Sequence, residues 1–187
     1  MLDWTAIGSI ATFLAFVLAF VAIVKENRER SENSRRYQAE HVSAWIDVRP
    51  YDDCESPRGT IVVVHNGSPQ PVYRGIVWLV RLQGGGGPAS GEDMARWIRG
   101  SSADDAWERY RPELLSVLPP GRFVVCLPDW EGGMSAVPGI EIAFTDSGGR
   151  HWIRRAEGRL EKIDKEPAVR YGIGLPQGWA IPRQVPE

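Results

Sequence analysis

One stretch near the start constrains everything after it. Trp4 to Val24, WTAIGSIATFLAFVLAFVAIV, holds no charged residue, with Asp3 before it and Lys25 behind it. As a helix rising about 1.5 Å per residue, it reaches roughly 30 Å, the thickness of a bilayer's hydrocarbon core. Its apolar residues run all the way round, whereas a helix packed on a soluble core keeps one polar stripe. A cleaved secretory leader is the other rival, but the start Met-Leu-Asp has no positive charge and the run ends Val-Ala-Ile-Val-Lys-Glu without a small-x-small site. The expectation is a retained transmembrane helix over 1–24. Trp4 would lie at one interface, Phe13, Phe16 and Phe20 in the apolar body, and Lys25 at the other interface.

Charge asymmetry gives an orientation. No Lys or Arg precedes the span, while Lys25, Arg28, Arg30, Arg35 and Arg36 follow it closely. The positive-inside rule then puts the N-terminus outside and the rest in a bacterial cytoplasm. Ala11, Ala15 and Ala19 form a small-residue stripe that would let two such helices pair into a homo-oligomer. Alanine is also simply common in membrane helices, and no Gly-xxx-Gly accompanies the stripe.

Residues 25–41, nearly all charged or polar, read as a helical stalk. Glu26–Arg30 and Glu32–Arg36 stand at i,i+4 in the favourable order. From Val42 the period becomes two. Val42, Ala44, Ile46 and Val48 alternate with Ser43, Trp45, Asp47 and Arg49, as in a half-buried strand. TIVVVH at 60–65 and VYRGIVWLVRL at 72–82 read as strands, and the intervening Asn66-Gly67-Ser68-Pro69 reads as a hairpin turn. Further short strands are expected at 114–118, 122–127, 140–145, 151–155 and 158–163, the 140–145 and 151–155 pair joined by Asp146-Ser147-Gly148-Gly149. About seven short strands with turns between them give the fold class: mainly β, an immunoglobulin-like antiparallel β-sandwich behind one long N-terminal helix. The sandwich spans 42–163 with an irregular insert at 83–113, and 164–187 is a Pro/Gly-rich tail that could lie over it through Tyr171, Ile173 and Trp179.

The runs VHNGSPQPVYRGIVWL, LPPGRF and GIEIAFTDSGGRHWIRRAEGRLEKI resemble a group of uncharacterised actinobacterial, Streptomyces-type, single-pass membrane proteins with a C-terminal β-rich domain. The likeness covers most of the chain. It implies the same anchor, stalk and β-domain, and no particular activity. An Arg-heavy basic set, with only three lysines among 22 basic residues, points the same way.

Catalytic spacing is not evident. His41, His65 and His151 fit no metal or triad motif, and Gly84 to Gly87 lack the Lys-Ser/Thr of a phosphate loop. Asp52, Asp53 and Glu55 lack calcium-loop spacing. The net charge of −2 offers no broad field for nucleic acid. Arg154, Arg155 and Arg159, on alternating strand faces, read as solvated. Cys54 and Cys126 match no redox motif. With a cytoplasmic domain both are expected as free thiols, Cys126 as a small core residue, and with an outward domain they could bridge. Trp97, Trp107 and Trp130 fall in loops, where they either staple the insert down or form a contact surface. The expected role is therefore a non-enzymatic binding or scaffolding module without a cofactor, partnered by the lipid bilayer and by an unidentified protein. An oligomerising membrane effector, or an enzyme with its site on the 83–113 insert, are the alternatives.

Overall fold

A computed structural model describes residues 16–27, 36–47, 59–100, 110–130, 135–173 and 182–184. The chain divides into two compact units, Met1–Tyr37 and Gln38–Glu187.

In the first unit, residues 16–27 form a helix, α1. Among the described residues no helix is long and apolar enough to cross a membrane. The described residues take in only the second half of the apolar run. Trp4, Phe13, Ala11 and Ala15 lie outside the described residues, as does the stalk from 28 to 35.

The second unit is mainly β, built on two antiparallel sheets. The first has the order β1 (Val42–Ile46), β2 (Thr60–Asn66), β5 (Gly121–Leu127), β9 (Arg183–Gln184). The second has the order β4 (Glu113–Leu118), β3 (Val72–Gln83), β6 (Val137–Thr145), β7 (His151–Arg154), β8 (Leu160–Ile163). Period-two alternation sends Val62, Val64, Phe123, Val125 and Leu127 of the first sheet against Val77, Leu79, Ile142, Phe144 and Trp152 of the second. Such inward rows facing each other are how a sandwich buries its apolar surface.

A third layer was not expected from the sequence. The other face of the second sheet carries Ile76, Trp78, Val80, Ala143 and Ile153, and it is covered by Met94 and Ala95 of α2 (Gly91–Gly100) and by Ala168 and Tyr171 of α3 (Pro167–Tyr171). This double burial explains why Gly75 to Val80 form an unbroken apolar run instead of alternating. α2 comes from the 83–113 insert and α3 from the segment read as a tail. Tyr171 packs down as expected, while Trp179 is outside the described residues.

The Asn66–Pro69 turn is a correction. It does not close a hairpin: β2 pairs with β1 and β5, β3 with β4 and β6, so the turn passes between sheets. The buried Asn66 side chain is the reason. Its Nδ2 donates to Leu118 O at 3.0 Å and Gln70 O at 2.9 Å, and its Oδ1 accepts from the Ser68 N–H at 3.1 Å. That side chain satisfies backbone groups a ladder would otherwise serve, and so ends the strand. By contrast Asp146–Gly149 closes the expected β6–β7 hairpin.

Candidate functional site: an open cleft beside a buried ion-pair network

The outer face of the second sheet divides into two regions. Around Trp78 the helices cover it, and a buried polar network holds them there. Glu141 on β6 is 2% exposed, and its Oε2 accepts the Gly91 N–H at 2.7 Å, occupying an otherwise orphan donor at the start of α2. Ser90 Oγ accepts the Asp93 N–H at the same helix start. Arg155, between β7 and β8, reaches Glu92 of α2 at 2.6 Å, Glu141 at 3.3 Å and Glu161 of β8 at 3.1 Å. Arg170 of α3 adds a second cation to Glu92 at 2.8 Å.

Burial alone would raise the Glu92 carboxyl. The hydrogen bonds from Arg155 and Arg170 outweigh that and hold it at about 2. For Glu141 burial prevails: it pushes the carboxyl above its usual range against the Gly91 N–H and Arg155, and the nearby Glu92 charge adds to the rise. Arg155 is thus not the solvated strand residue its position suggested. Arg154 also bonds inward, to the carbonyls of Val42 and Ala39 at 2.6 and 3.1 Å.

Beyond this covered half, β3 bulges. Its register against β6 shifts between Tyr73 and Ile76, and Arg74 there has φ 53, the one positive value among described non-glycine residues. An Arg in the left-handed region is a strained backbone, of the kind that gathers at functional positions. The bulge opens a cleft of about 470 Å³ lined by Tyr73 and Arg74 of β3, Ser116 of β4, Thr145 of β6 and His151 of β7. Asp146, Ser147 and Gly149 of the following turn complete the lining.

The cleft's polar groups are unequally committed. Asp146 is buried and holds the N–H groups of Gly148 and Arg150 and the Trp152 Nε1–H, at 2.8, 2.9 and 2.9 Å. Its carboxylate therefore shapes the turn. Thr145 Oγ1 lies 2.9 Å from His151 Nδ1. Hydroxyl and imidazole are two parts of a nucleophile–base–acid relay, but the neighbouring carboxylate is spent on the hairpin and does not orient the ring. Arg74 pairs with Glu166 at the start of α3. Tyr73 is 41% exposed.

The sequence-predicted residues lie elsewhere. Phe16, Ala19, Phe20 and Lys25 are exposed on α1. Trp97 is 45% exposed and meets the Tyr110 ring edge-on at 5.8 Å, keeping both contact and stapling roles. Trp130 instead packs against the inter-sheet core, with Gly87 against its ring, so it is a staple. Trp107 is outside the described residues. Cys126 is a further correction. It sits half-buried between the inward Val125 and Leu127, on the sheet's other face, and it is disulfide-bonded. The chain's other cysteine, Cys54, lies outside the described residues. Among the described residues no group of three or more His, Cys, Asp or Glu could hold a metal ion.

Sequence reasoning named His151 and Asp146 only as a hairpin start and turn, and missed Arg74. Gly75 inside the β-branched run reads as a bulge from the sequence, and the register shift between Tyr73 and Ile76 is that bulge. Comparison with family models, curated proteins and solved structures finds no match for the chain.

Proposed function

We propose that this chain is a membrane-tethered binding module, with its apolar N-terminal helix in lipid and its β-domain presenting the Tyr73–His151 cleft. The observation that carries the tether is the exposure of α1. Phe16, Leu18, Phe20, Val21 and Ile23 are 57–70% exposed and point to several sides of the helix. Side chains exposed on several sides of one helix have no core of their own, and lipid is the solvent that suits them. The strand order supports an immunoglobulin-like reading. The β1-β2-β5 sheet faces a β4-β3-β6-β7 sheet, matching strands A-B-E against C′-C-F-G. Domains of that kind often act by surface recognition, an analogy that sets the class of function and not the ligand. The test is flotation of membranes carrying the full chain, with a carbonate wash. Retention in the lipid fraction is expected, and release without detergent would remove the tether.

A second reading of orientation has its own support. Disulfides persist in oxidising compartments, and Cys126 is in one, which favours an outward-facing domain. The five basic residues after the span favour the cytoplasm. Intact cells treated with an impermeant reductant and then an impermeant maleimide decide between them. Labelling before lysis places the domain outside, and labelling only after lysis places it inside.

A further inference from the structure

We propose that the Tyr73–His151 cleft is an oxyanion site, taking the carboxylate or phosphate group of a small ligand. This rests on the binding-module reading and adds the chemistry of what is bound.

Hydrogen-bond capacity is unevenly spent among the cleft's groups. The cleft's fixed acceptor, the Asp146 carboxylate, already holds three N–H groups. Its donors are less occupied. The Arg74 guanidinium has five N–H donors and contacts Glu166 through Nη1 alone, so most of its fork remains for a ligand. The Tyr73 hydroxyl stands on the exposed part of β3. His151 is engaged at Nδ1 by Thr145, which leaves Nε2 as the ring nitrogen for a ligand. In the proposed site the Thr145 hydroxyl donates to Nδ1, and Nε2 keeps its hydrogen and donates to the ligand. A guanidinium fork, a phenol and an imidazole N–H lining one cleft fit an acceptor-only group, and planar guanidinium is the side chain best matched to carboxylate or phosphate. A cationic ligand would find the one carboxylate lining the cleft, Asp146, already taken by its turn.

The backbone adds an independent mark. At φ 53 glycine would fit without strain, yet an arginine occupies the position. The bulge sets that residue at the cleft, so the strained backbone delivers a guanidinium there.

The test uses the full chain in a phosphate-free polyoxyethylene detergent. The ring Cε1–H signals of its three histidines are followed by NMR while inorganic phosphate, acetate or glucose is added. A saturable shift of the His151 signal is expected in the millimolar range with phosphate or acetate, assigned by its disappearance in His151→Asn. Arg74→Gly is expected to weaken that binding at least tenfold while melting close to the wild-type temperature, which separates a lost site from a lost fold. An unchanged affinity in Arg74→Gly, or no saturable shift with either anion, would overturn the proposal. A saturable response to glucose alone would also overturn it, while leaving a ligand-binding cleft in place.

Discussion

The two halves of the second sheet's outer face solve opposite problems. Around Trp78, helices cover the sheet and two carboxylates drawn in with them are paired: Glu141 by a helix N–H and Arg155, Glu92 by two arginines. Around Tyr73 the cover stops, and the polar groups keep unused capacity. The difference separates the part that holds the fold together from the part whose polar groups stand open. A buried charge without its partner is costly, so the covered half tolerates little change. A rim residue facing water can change with little effect on the fold.

The sharpest way to break that contrast is Arg155→Ala. It strands Glu141, buried, beside Glu92 with one cation fewer. A loss of about 3–5 kcal/mol is expected from urea denaturation, with faster amide exchange across 91–100. Next comes Gly91→Ala. An added Cβ would lie 3.0 Å from Trp78 ring atoms and 3.1 Å from Tyr171, on a side chain that is itself fully buried. Overpacking there should cost about 1–3 kcal/mol, read by the same unfolding and by the near-ultraviolet signal of Trp78.

Acidification should act on the covered half in two opposed stages. A folded-state carboxyl raised above its unfolded value binds its proton more tightly when folded. Glu141 should therefore add stability as pH falls toward the ordinary carboxylate range near 4.5. Glu92, held at about 2, has the opposite sign: its contribution is complete above 4.5 and is lost between 4.5 and 2. Melting temperatures from pH 7 to 2 should rise slightly and then drop. Glu141→Gln should reduce the rise, leaving the part from Glu113, which burial also raises, and keep the drop. The smallest effect on stability is expected in the open half. Arg74→Gly trades backbone strain for an exposed ion pair and extra chain entropy, and should move stability by less than about 1 kcal/mol. A larger loss, measured by denaturation, would mean that the two halves do not differ as described.

Much of the strand set is legible in the sequence because local rules govern it. TIVVVH, IEIAFT and HWIR alternate or cluster as strands must, and Asp146 to Gly149 can hardly be anything but a turn. What local rules miss is who covers whom. Trp78 and Val80 look like one face of a strand, and nothing nearby announces that residues from 91–100 and 167–171 will cover them. Arg155 looked solvated because its partner Glu92 is 63 positions away. The Asn66 turn looked like a hairpin because the loop's composition is a hairpin's. The distant Leu118 carbonyl, which fixes its true role, leaves no local trace. The cleft was illegible for the same reason. It exists only because the sheet order 4-3-6-7 sets Ser116, Tyr73, Thr145 and His151 side by side.

Gln38, where the β-domain begins, has a mechanical consequence. Its amide nitrogen donates to the carbonyls of Gln70 and Pro71, and its oxygen accepts from the Ser147 N–H and hydroxyl. Any pull on the chain before Gln38 would therefore be shared at once between two loops, one leading into Tyr73 and the other continuing from Asp146. A force applied ahead of Gln38 would thus reach the two loops at the mouth of the cleft before any strand had to yield.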